Sequence, residues 1–174
     1  SKFVVDRKFA LPEDNGLTVE TGGGVRVVWP TMEDDKMVAA KVAMGEPTFI
    51  PAEIPVDLAE IGDLEIIKDF PIRAGGHDLK ITCLAVGNPH AVVIMKDPVE
   101  DFPLTEVGPH VEHHELFPNR INLEIVNVIS RSKIRVRIFE RGAGETMSSG
   151  TGSTAAASAA RVHGLVDNTV DVIV

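Results

Sequence analysis

The stretch from Phe139 to Thr154 carries Gly142, Gly144, Gly150 and Gly152 around one hydroxyl, Ser149, and runs straight into the Ala-rich segment Ala155 to Ala160. Glycine lets backbone N–H groups turn inward and approach a ligand more closely than other residues permit. A helix starting near Thr151 adds unpaired N–H groups and a positive dipole end at the same spot. The chemistry this predicts is anion binding, with Ser149 at the mouth of the cradle. The competing reading is an ordinary glycine-rich connector.

Two nucleotide readings of this loop fare worse. A phosphate-binding P-loop needs G-x-x-x-x-G-K-[ST], and the chain supplies neither the spacing nor the lysine. Gly150 to Ala155 matches G-x-G-x-x-A, but a dinucleotide fold places its glycines directly after a parallel strand, and here the last β-prone residue is Phe139. The run His110-Val111-Glu112-His113-His114-Glu115 fits no zinc spacing and reads as a solvated helix face, so no metal site is predicted. Gly87-Asn88-Pro89-His90 places an amide and an imidazole between two apolar strands. Taken alone, it is equally a tight turn.

These residues need elements to hold them. Phe3, Val4 and Phe9 suit a helix at the start of the chain. Leu17 to Glu20 and Val25 to Trp29 read as a hairpin about Gly22-Gly23-Gly24, and Met37 to Met44 as a third strand after the turn Glu33 to Lys36. Pro47, Pro51 and Pro55 mark a stiff extended connector and a domain boundary, giving domains 1–48 and 49–174. Beyond it, strands are expected on either side of Ala74 to Asp78 and of Gly87 to His90. A short helix through Leu104, Val107, Val111 and Leu116 is broken or restarted at Gly108-Pro109. Ile121 to Ile129 reads as a half-buried strand, Lys133 to Phe139 as a strictly alternating one, and Arg131-Ser132 as the turn between them. The Ala-rich helix ends near His163 with Gly164 behind it, and a last strand begins at Thr169. The class is α+β: a largely antiparallel sheet packed on one very apolar helix.

Composition bounds what such a chain does. It has 174 residues, 44% hydrophobic and 25% charged, which suits one domain or one and part of another. A net charge of -9 argues against a nucleic-acid partner, and no apolar run is long enough to suggest a membrane span. The single cysteine, Cys83, excludes an internal disulfide framework and fits a cytoplasmic protein with an inert core thiol. The chain opens without methionine inside a predicted helix and closes at Val174 in a predicted strand, so further residues are expected at both ends.

Gly87-Asn88-Pro89-His90, Phe117 to Asn122, and Glu140 to Thr146 followed by Gly150-Thr151-Gly152 together resemble the diaminopimelate epimerase family, in the family's order. Met44-Gly45-Glu46-Pro47 is similar to that family's interdomain segment. The resemblance implies two pseudo-symmetric domains, each a β-barrel-like sheet about a central helix, and a cofactor-independent two-base exchange at Cα that interconverts LL- and meso-diaminopimelate. It implies that the first catalytic cysteine lies upstream of Ser1 and the closing strands beyond Val174, and it suggests a homodimer. By position, Asn88, Asn122, Glu140 and Arg141 would bind the distal centre of the substrate. His90 and Glu140 would assist proton transfer, and Gly150 and Thr151 would offer N–H groups to the reacting carboxylate. Ser149 stands where the family has its second catalytic cysteine, and a hydroxyl is a far weaker acid than a thiol. Impaired epimerase chemistry is therefore expected, with a single-base isomerase or dehydratase, or a non-catalytic amino-acid binder, as alternatives.

Overall fold

A computed structural model describes residues 1–13, 16–21 and 24–174. Asp14 and Asn15, and Gly22 and Gly23 of the expected glycine turn, lie outside the described residues. The chain forms two compact units, Ser1–Gly45 and Glu46–Val174. In the first, helix α1 (Lys2–Asp6) accompanies an antiparallel sheet in the order β1 (Leu17–Thr21), β2 (Gly24–Glu33), β3 (Lys36–Val42). Asp34 and Asp35 both take positive φ, 47° and 61°, as a two-residue hairpin turn requires. Asp6 ties α1 to the sheet by accepting the Met37 N–H at 2.7 Å, over a small core of Val5, Val28 and Met37.

The second unit is built on one mixed sheet, and the α+β class read from the sequence holds. Strands β4 (Phe70–Ala74), β5 (His77–Ala85) and β6 (Pro89–Ile94) pair antiparallel in succession. Strand β6 then runs parallel to β7 (Asn122–Ser130), which turns back into β8 (Lys133–Glu140). The free edge of β8 is divided. Its first residues take the parallel strand β10 (Asp171–Ile173), and its last three take β9 (Gly144–Thr146) antiparallel. Arg137 fastens this corner by a bidentate pair with Glu145 at 2.8 and 3.0 Å.

Both faces of this sheet are covered, which explains why β7 is buried throughout Asn122–Val126 rather than half-buried. One face carries Ile81, Cys83, Ala91, Leu123, Ile125 and Phe139 against α3 (Leu104–Glu112) and the segment before β4. The other receives α4 (Gly150–Val162), whose Gly152, Ala155, Ala156, Ala159 and Ala160 are buried. Small residues let a helix axis lie close to a sheet, and this composition has that use.

Four expectations need revision. Helix α3 runs unbroken through Gly108-Pro109. Pro109, sixth of its nine residues, removes one helical N–H donor, and the Cβ-free face of Gly108 lets the helix meet the Phe139 ring. The proline-marked segment is no bare connector, since Thr48 exchanges backbone bonds with Ala85 at 2.9 Å in both directions and Pro51–Glu53 forms a turn of 3-10 helix. The glycine-rich stretch after Phe139 is in part a hairpin, with Gly142 and Gly144 at φ 77° and 84° allowing the reversal into β9. Finally, Glu112 is not on a solvated face: it is 4% exposed and accepts the Gly142 N–H at 2.9 Å.

Cys83 lies wholly inside the α3 side of the sheet, and burial pushes its thiol well above the usual range. A thiol that cannot ionise is a poor nucleophile. Ellman's reagent should therefore leave the native protein unlabelled and titrate one thiol in denaturant; native-state labelling at the free-cysteine rate would refute this burial.

Candidate active site

The residues singled out in the sequence meet where β6 and β7 begin, β8 ends and α4 starts. The parallel register sets His90 beside Asn122, so both project onto the α4 face. Ser149 is the N-cap of α4, with extended backbone at φ -145° and ψ 123°. Its Oγ accepts the Gly152 N–H at 3.2 Å and donates to Glu140 Oε2 at 3.2 Å, with Thr151 Oγ1 at 3.4 Å. Ser149 is 8% exposed, and its hydroxyl is held between a helix end and a carboxylate.

This cap leaves a specific gap. Of the first N–H groups of α4, Gly152 is satisfied by Ser149 Oγ, and Ser153 bonds the Ser149 carbonyl at 3.0 Å. The N–H groups of Gly150 and Thr151 take no hydrogen bond among the described residues. Gly150 is exposed and Thr151 half-buried. Two free donors lie on the positive end of a thirteen-residue helix, an arrangement able to receive an anion.

The neighbouring polar groups are interlocked. Asn122 is buried; its Nδ2 donates to the Pro89 carbonyl at 2.9 Å and its Oδ1 accepts the Arg141 N–H at 2.8 Å. One amide therefore braces the β6 turn against the end of β8. The Arg141 guanidinium, which is exposed, donates to the Asn119 carbonyl at 2.8 Å. Asn88, half-buried, places Oδ1 2.9 Å from His90 Nε2. Asn88 with His90, Asn122 with the Arg141 N–H, and Ser149 with Glu140 and Thr151 thus form three bonded groups at one end of the sheet, with Gly150 next to the last and the Arg141 side chain turned to the loop beside them.

Sequence reasoning missed Glu124. Its side chain is wholly buried, and Oε1 lies 2.7 Å from His90 Nδ1. Burial pushes its carboxyl up; His90 pulls it partly back, and the charge of Glu140 pushes it further. A signal existed. Glu124 stands two residues from Asn122 in an apolar strand, which puts it on the same face as the site.

The arrangement can hold a carboxylate at α4 and present a hydroxyl–carboxylate pair and an imidazole beside it. A solved structure shares the fold. The hydroxyproline epimerase from Agrobacterium vitis, solved with trans-4-hydroxy-L-proline, shares this fold at a TM-score of 0.60 and 14% identity, over 95% of this chain and 50% of that one. The family is narrower. The diaminopimelate epimerase family model matches residues 82–174, and the chain belongs to that family. The diaminopimelate epimerases of Acetivibrio thermocellus and Desulfovibrio desulfuricans are each 44% identical, over 94% and 98% of this chain. The chain spans 56% and 59% of their respective lengths. Among the described residues no helix is long and apolar enough to cross a membrane.

Proposed function

We propose that the chain supplies the carboxylate-holding side of a diaminopimelate epimerase that interconverts the LL and meso forms by moving the Cα proton. The observation that carries this is the pair of free N–H groups at Gly150 and Thr151, set beside the Ser149–Glu140 contact. A carbanion at Cα spreads charge onto its own carboxylate, and fixed donors there stabilise the transition state more than the ground state. Ser149 would face Cα, Glu140 would trade protons with the Ser149 hydroxyl, and His90 would support the proton-transfer residues. Asn88, Asn122 and Arg141 would recognise the distal amino and carboxylate groups. The reading takes residues 1–48 as part of an N-terminal epimerase domain and 49–174 as the C-terminal one, working without a bound cofactor. It carries a cytoplasmic setting and a homodimer with it.

One observation favours a second reading. Ser149 Oγ is committed as a helix cap and as a donor to Glu140, which suits a hydrogen-bonding role better than a base. A single-base isomerase or dehydratase follows from that. Incubating the complete gene product with LL- and meso-diaminopimelate in heavy water separates these readings. Deuterium at Cα with inversion is the expected result, and deuterium without inversion supports the single-base reading. Binding without exchange would defeat both and leave an amino-acid binder.

A further inference from the structure

His90 and Glu124 are both wholly enclosed, between the sheet and the first turn of α4. The imidazole touches one polar group at each nitrogen, Asn88 Oδ1 at Nε2 and Glu124 Oε1 at Nδ1. An amide oxygen only accepts, so Nε2 must carry a hydrogen. What Nδ1 carries depends on Glu124. If the carboxyl is ionised, Nδ1 is protonated and the ring is a cation; if it is protonated, it donates to a bare Nδ1.

The surroundings decide between these. Glu124 Oε2 is buried with no hydrogen-bond partner, whereas a buried carboxylate needs donors at both oxygens. Burial and the nearby Glu140 charge favour the neutral acid too. The pocket is also closed to adjustment. A Cβ at Gly152 would come 3.0 Å from Glu124 Oε1 and 3.1 Å from Ile138, so a side chain at 152 would press on this carboxyl and on the strand beneath it.

We propose that Glu124 is a positioning residue that donates its proton to His90 Nδ1 and so fixes the imidazole as the neutral Nε2–H tautomer facing Asn88. The result is a one-directional chain of donors, from Glu124 through His90 to Asn88, which keeps an N–H pointed toward the start of β6. Its bearing on catalysis rests on the epimerase reading above; the tautomer does not.

The test is imidazole nitrogen NMR on the histidine-labelled complete gene product. In the unmodified protein, His90 should show a protonated Nε2 and a bare, hydrogen-bonded Nδ1 at neutral pH. An imidazolium or an Nδ1–H tautomer would overturn the proposal with no variant needed. Glu124→Leu, which removes the donor, should abolish the hydrogen-bond shift of the bare Nδ1 while Asn88 still holds the Nε2 hydrogen, and Glu124→Gln, whose amide can still donate, should preserve it. An unchanged His90 in Glu124→Leu would likewise overturn the proposal. With diaminopimelate, Glu124→Leu should lose about 10- to 100-fold in kcat with KM little moved, and Glu124→Gln should recover most of the loss. Absence of Cα exchange in the unmodified protein would sink the epimerase reading alone, because the nitrogen spectra are read without substrate.

Discussion

Ser149→Cys in the complete gene product should raise Cα deuterium exchange from diaminopimelate by about 10²- to 10⁴-fold, the range that a matched acid–base group contributes. A cysteine thiol ionises near pH ~8.5 in water, and a helix N-terminus lowers that value. The Ser149 position supplies this environment, with the Gly152 N–H aimed at Oγ and the dipole of α4 behind it. Glu140 at 3.2 Å opposes ionisation, but the same carboxylate can accept and return the thiol proton. A hydroxyl in this environment stays protonated, because no local field of this size spans the gap to an alkoxide. Substrate affinity should change little, since the carboxylate site proposed above uses backbone N–H groups that the exchange leaves in place. Replacing the serine cap should cost about 1 kcal/mol of stability. An equal exchange rate in the two proteins, at equal diaminopimelate affinity, would mean that residue 149 is not an acid–base group.

The parts of this molecule that could be read in the sequence are those governed by local rules. Strict alternation in Lys133 to Phe139 located β8, and the paired glycines and the alanine run located the start of α4 and its close packing. Ser149 and the free N–H groups after it were legible because capping is a property of adjacent residues. Glu124 was not, because its meaning depends on β6 lying parallel to β7 and on α4 closing over both. The interior of β7 misled for the same reason. Its Asn122 and Glu124 look like a solvated face, yet that face is the floor of the site. Glu112 was lost among the histidines of α3, although it caps the Gly142 turn from the other side of the sheet. Non-local pairing turns polar residues into interior ones, and composition along a strand carries no record of it.

Gly108→Ala should be the most damaging small substitution in the second unit. A Cβ there would lie 2.5 Å from Phe139 Cγ and 2.8 Å from Cε2, well inside contact distance, and the obstacle is a ring rather than a flexible chain end. Phe139 is 6% exposed within the core cluster, and its backbone is paired with Leu123 on one side and Glu145 on the other, so neither ring nor strand can yield without disturbing packed neighbours. The intrinsic helix preference for alanine over glycine, about 1 kcal/mol, acts the other way and is too small to win. Overpacking of this kind costs about 3 kcal/mol, which lowers Tm by roughly 10 °C in a unit of this size. Phe139→Leu alone leaves a cavity and is destabilising too. Combined with Gly108→Ala, it should cost at least about 1 kcal/mol less than the sum of the single changes, because the new methyl occupies the space the ring vacates. Urea unfolding of the four proteins gives this coupling directly, and strict additivity would mean that Gly108 and Phe139 do not share the space described. The coupling also reaches the site: Phe139 immediately precedes Glu140, so a displaced ring should loosen the Glu140–Ser149 bond and lower exchange in the Ser149→Cys background.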